Sequence, residues 1–87
     1  KRVVVITPRK DLDLNIDDLY STVRDNGFDV KVKADLGVSF ETSLKVTASI
    51  LKSGVMIIEG ENSEKEAYTF YSKIIIDELK FPPSHIE

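Results

Sequence analysis

The sequence predicts a two-layer α+β fold, a mainly antiparallel sheet with two helices on one face. Three observations carry this. Apolar residues recur with a period near 3.6 in two segments and with a period of two between them. Each helical segment has its own start and stop residues. The strands alternate polar with apolar side chains, so both helices are expected on one face with the other left wet. The 87 residues are 41% hydrophobic with a formal net charge of −3, which reads as one soluble globular domain. Its expected extent is 1–80, followed by a Pro-containing C-terminal tail at 81–87.

Val3 to Ile6 is a β-branched run stopped by Thr7-Pro8, the pattern of a first strand buried on both faces or covered by helices. Ile16, Leu19, Tyr20 and Val23 then mark an amphipathic helix. Asn15 can cap its N–H groups, Asp17 and Asp18 complement its positive end, Leu14 and Leu19 sit at staple spacing, and Gly27 supplies a left-handed stop. From Phe28 the period becomes two, with Phe28, Val30 and Val32 on one face and Asp29, Lys31 and Lys33 on the other. Gly37 interrupts the run before Val38-Ser39-Phe40 resumes it, which predicts a bulge or bend near Asp35 to Gly37. Leu44, Val46, Ala48 and Ile50 are expected inward and Lys45, Thr47 and Ser49 outward. A tight turn at Lys52-Ser53-Gly54 then leads into Val55-Met56-Ile57-Ile58. Ser63-Glu64-Lys65-Glu66 is a capping box opening a helix with the core stripe Ala67, Phe70, Tyr71 and Ile74, with Ile75 and Leu79 at its edge. Pro82-Pro83 forbids its continuation.

Composition excludes several chemistries. With no cysteine in the chain, disulfides, thiolate metal sites and Cys nucleophiles drop out. The longest apolar runs fall far short of the roughly 18 residues a membrane span needs, and the cytoplasm is the expected compartment. Because the chain opens on Lys1 and closes on Phe81-Pro82-Pro83-Ser84-His85-Ile86-Glu87, it is expected to be part of a longer protein. A domain this small buries only about 60 to 65% of the surface its unfolded chain exposes, which leaves little room for a deep active site.

Asp11, Asp13, Asn15 and Asp17 resemble the opening of a calcium loop. The position that needs Gly is Ile16, however, and the one that needs a bidentate carboxylate is Thr22. They read instead as acidic residues gathered at a helix N-terminus. His85, the one histidine, reads as a solvated tail residue. The glycines form neither G-x-G-x-x-G nor a P-loop. Lys31, Lys33 and Lys45 are expected on the uncovered face beside Thr47 and Ser49, as a solvated face or a protein-docking patch. Ile76 points away from the helical stripe and is a candidate interface residue. These four are the predicted partner-binding residues; catalytic, cofactor and metal residues are predicted to be none.

The segment Ile50 to Gly60, followed by Ala67 and Phe70-Tyr71, resembles the C-terminal end of ThiF/MoeB-type adenylyltransferases, relatives of the ubiquitin-activating enzymes. That ending reads hydrophobic-Phe-x-Asp-Gly-Arg, a β-branched run, Lys-Gly, an acidic capped turn, then Ala-x-x-Leu-Tyr. The spacing from Gly54 to Gly60, Ala67 and Tyr71 fits without a gap, while Val55 stands at the usual Arg and Glu59 at the usual Lys. Upstream, Leu12-Asp13-Leu14, the helix with Leu19, Val23 and Arg24, Gly27, and the strand ending at Phe40 are similar as well. The resemblance implies a non-catalytic accessory domain of an enzyme that uses ATP and magnesium to adenylylate a ubiquitin-like sulfur carrier. In the family, four cysteines often hold a zinc ion. It places ATP, magnesium and zinc elsewhere in the full-length protein and leaves this part with recognition of the carrier or of the enzyme's own second subunit. The alternative is a free-standing nucleic-acid-binding module with a TATA-binding-protein-like half-saddle fold. A regulatory small-molecule module is a third reading, for which the sequence names no convergent polar pocket.

Overall fold

The computed structural model describes residues 2–42, 46–60 and 63–86. Strands β1 (Arg2–Ile6), β2 (Asp29–Ala34), β3 (Gly37–Glu41), β4 (Thr47–Leu51) and β5 (Met56–Gly60) form one sheet in the order β1-β5-β4-β3-β2. Every neighbouring pair is antiparallel. Helix α1 (Ile16–Asp25) joins β1 to β2, and α2 (Glu64–Ser72) follows β5. Because β1 and β2 are opposite edges, the connection between them must cross four inter-strand spacings, roughly 19 Å. The loop before α1 makes most of that crossing, passing the end of the β4–β5 hairpin at Leu12 and Leu14. α1 then lies over β2 and β3, with Asp17 beside Lys33 near the end of β2 and Val23 beside Phe28 just before its start, and α2 packs over β1. The two-layer α+β fold with one covered face is what forms.

The covered side holds the core. Val38, Phe40, Ala48, Ile50, Met56 and Ile58 of the sheet are buried against Leu19 and Val23 of α1 and Ala67 and Tyr71 of α2. Phe28 stacks on Phe40 with ring centroids 5.5 Å apart, and Phe70 of α2 tilts onto Phe28 at the same separation, so three aromatic rings lock both layers together.

Both helices begin on the residues that the sequence marks for their start, and α1 also ends at its marked stop. Asn15 accepts a hydrogen bond from the Asp18 amide at 3.0 Å. Gly27 adopts φ 82° while the Phe28 amide reaches back to the Val23 carbonyl, the arrangement of a Schellman stop. Ser63 and Glu66 complete the capping box, each side chain accepting from the other's amide at 3.1 Å. Those hydrogen bonds hold the Glu66 carboxyl below its usual range.

The turn at residues 52–55 ties three parts of the chain together. The amides of Leu12 and Leu14 donate to the carbonyls of Ser53 and Lys52 at 2.9 and 2.8 Å, which pins the loop before α1 to the end of the β4–β5 hairpin. Gly54 has φ 99°, and a Cβ there would stand 2.6 Å from the Leu12 side chain, so the position excludes every other residue on two grounds. Tyr71, fully buried in α2, donates its hydroxyl to the Gly54 carbonyl at 2.6 Å.

Four expectations change. β1 is not buried on both faces. It is an edge strand whose Val3 and Val5 are 55% and 57% exposed, because the run of β-branched residues alternates like any other strand and α2 covers one side. The bend expected at Asp35 to Gly37 is the β2–β3 hairpin turn, and the bulge lies earlier, between Val30 and Val32. Beyond Ser72 the helix widens into a π-helical segment, Lys73–Glu78, with the Leu79 amide on the Ile74 carbonyl. The wider turn places Ile75 fully inside rather than at the edge, and Ile76 half-buried against the core rather than pointing away. Finally, residues 81–86 are not a free tail. Ile86 is buried, and the half-buried His85 accepts the Arg9 amide on its carbonyl at 2.9 Å. Leu44 and Lys45 lie outside the described residues.

Ser63→Ala should cost about 1 kcal/mol in denaturant unfolding. Burial, with a smaller contribution from Tyr68, pushes the Tyr71 phenol from 10.0 up to about 12. A raised folded-state value means the stability it contributes is complete below about pH 10 and is lost as pH rises through about 12, an effect on the order of 2 kcal/mol. Tyr71→Phe should lower stability at neutral pH by about 1–2 kcal/mol through the unpaired Gly54 carbonyl and abolish the alkaline loss, read by denaturant melts from pH 8 to 12.

Candidate functional site

The uncovered sheet face is built from two rows that the strand registers define. One row crosses all five strands as Val5, Ile57, Ser49, Ser39 and Val32. The next runs Val3, Glu59, Thr47, Glu41 and Asp29. The first is apolar at both ends, with Val5 and Val32 more than half exposed. Its centre is a pair of hydroxyls, Ser39 and Ser49, hydrogen-bonded to each other at 2.8 Å. Small central side chains keep this part of the face shallow. The second row holds three carboxylates in five positions.

Asp29 and Glu41 stand directly opposite each other, a like-charged pair that destabilises an antiparallel sheet. Lys31 answers it: its ammonium lies 2.7 Å from Asp29, and both Asp29 and Glu41 raise its pKa, Asp29 the more. Lys31 is therefore on the uncovered face, as expected, but its charge is already engaged. Lys33 is on the other side. The bulge between Val30 and Val32 adds one residue to β2, so Val32 pairs with Ser39 on the uncovered face and Lys33 pairs with Val38 on the covered one. There its ammonium meets Asp17 of α1 at 2.7 Å and lies over the Tyr20 ring, 5.3 Å from the centroid. Asp17 foremost, then Tyr20 and Asp35, raise its pKa.

The structure thus does not gather the predicted partner-binding residues into one patch. Lys31 and Lys33 face opposite ways, Ile76 packs against the core, and Lys45 lies outside the described residues. What sequence reasoning missed is the apolar row and the acidic row. Glu41 and Glu59 were legible as outward residues by alternation; Val5 and Val32 were not, since one sits in a run with no polar partner and the other is displaced by the bulge.

The remaining polar clusters serve the fold. Asp11 accepts the Asp13 amide, Asp13 (φ 46°) binds the Lys52 ammonium at 2.6 Å, and Asn15 caps α1. Among the described residues, no group of three or more His, Cys, Asp or Glu is placed to hold a metal ion. With no cysteine in the chain and no glycine-rich loop before either helix, these residues do not fit the zinc or the nucleotide of the adenylyltransferases. A polar groove of about 380 Å³ lies between Asn15, Asp17, Lys33 and Lys52. Both its lysines are engaged by carboxylates, so neither ammonium is left free for a ligand. Among the described residues, no helix is long and apolar enough to cross a membrane. Comparison of the chain with family models, curated proteins and solved structures gives no match.

The placement of Lys33 has a direct test. In a double-mutant cycle by denaturant unfolding, Lys33→Ala and Asp17→Ala should show favourable coupling that shrinks as salt is raised. Lys31→Ala should couple to Asp29→Ala and not to Asp17→Ala.

Proposed function

We propose that this chain is a non-catalytic docking module that meets a protein partner through its uncovered sheet face. The observation that carries the reading is a row exposed and apolar at both ends, Val5 and Val32, beside a row of three carboxylates. Exposed apolar surface rimmed by charge is the usual composition of a protein-contact face. The carboxylates favour a partner that presents Lys or Arg around an apolar patch.

This role suits the accessory domain of a ThiF/MoeB-type adenylyltransferase acting on a ubiquitin-like sulfur carrier, where ATP, magnesium and zinc chemistry would belong to other parts of the protein. Of the two partners that reading offers, the acidic row favours whichever presents Lys or Arg at its margin. It also argues against the nucleic-acid module, because Asp29, Glu41 and Glu59 would repel phosphates and the cation beside them, Lys31, is held by Asp29.

The test is calorimetric titration of this chain with the nucleotide-binding core of the full-length protein, with the purified sulfur carrier, and with a DNA duplex. Binding to the core or carrier is expected, and Val32→Lys with Ser49→Lys should weaken it at least ten-fold while leaving the melting temperature nearly unchanged. Duplex binding whose affinity falls steeply with salt would favour the half-saddle alternative, and unchanged affinity in the folded double variant would remove this face from consideration.

A further inference from the structure

The two edges of the sheet differ in how they are protected against pairing with another chain. β2 carries a bulge, two lysines held by carboxylates, and an irregular register. These are the devices that keep an exposed edge from accepting a further strand. β1 has no bulge, and its one charge, Arg2, stands at its first position. Its five residues pair with β5 in unbroken register, Val3, Val4 and Val5 bear no charge, and Val3 and Val5 remain more than half exposed. Beside it runs a groove of about 340 Å³, lined by Val3 to Ile6 and by Glu64 and Tyr68 of α2.

We propose that β1 pairs antiparallel with β1 of a second copy of this chain, across a two-fold axis at Val4. One feature singles out a second copy as the occupant: the centre of the strand, Val3-Val4-Val5, is symmetric about Val4, with Arg2 set against Ile6 at the margin. A two-fold axis at Val4 sets Val3 of each copy against Val5 of the other, giving β-branched cross-strand pairs on the uncovered face. With β2 protected, each copy offers one edge, so association closes at two chains and does not propagate into a fibre.

This inference is independent of which protein occupies the uncovered face. Sedimentation equilibrium on the chain from about 10 μM to 1 mM should show a monomer–dimer equilibrium with no larger species. Amide hydrogen exchange should slow with concentration in β1 and not in β2. Val5→Lys and Val3→Lys, both at exposed positions, should each raise the dimer dissociation constant ten-fold or more, and Val32→Lys should not. A monomer throughout that range, concentration-dependent protection confined to β2, or a dimer that persists unchanged in both folded β1 variants would each overturn the proposal.

Discussion

The buried hydrogen bond from the Tyr71 hydroxyl to the Gly54 carbonyl joins parts of the molecule that sequence separates. Gly54 closes the β4–β5 hairpin, and Tyr71 belongs to the helix lying on that hairpin. The same turn accepts the amides of Leu12 and Leu14, so the loop that launches α1 is anchored to the place where α2 is anchored. A phenol in an apolar interior would be costly without a partner, and a turn carbonyl facing the core would be equally so. Each satisfies the other. The consequence is geometric: the two helices take their positions from one turn, and the Asn26 side-chain amide, donating to the Glu78 carboxylate at 2.8 Å, ties the end of α1 to the π-helical extension of α2.

That arrangement explains why one face stays open. The crossing connection from β1 to β2 uses the covered side, and α2 returns over β1 on the same side. Among the described residues, no helix crosses the other face. Of those residues the covered face takes most of the large apolar side chains, and the open face holds valine, Ile57 and Leu51 with serine, threonine, carboxylates and Lys31. Its shallow centre and acidic margin are what the sequence has left once the core is filled.

Much of this was legible from residues alone. Capping residues state their role locally: Asn15, Gly27, Ser63 and Glu66 each act on backbone groups within five positions, so no knowledge of the tertiary fold is needed to place them. The β4–β5 hairpin was legible because alternation and turn chemistry agree. What escaped depends on partners far along the chain. Whether Val3-Val4-Val5 lies at the centre or the edge of a sheet is decided by strand order, which periodicity does not encode. The π-helical segment arises where Ile74 and Ile75 both find space in the core, a packing outcome invisible in a 100° projection. The acidic row could be listed residue by residue from alternation, but its coherence as a row requires the registers of four strand pairs.

The bulge in β2 gives that strand a phase in addition to a direction. Val30 and Lys33 face the same side although three positions separate them, an odd spacing that a regular strand assigns to opposite sides. Loss of one residue at 31 would leave a regular strand with Val30, Val32 and Lys33 still facing Phe40, Ser39 and Val38, whereas a strand of the same length without the bulge would carry Val32 inward and Lys33 outward together. For β2 the bulge is thus as informative as residue identity. Two chains of equal length could keep every side chain of the strand and still present opposite faces to their surroundings if only one is bulged, and an alignment, which sees no gap, would score them as alike.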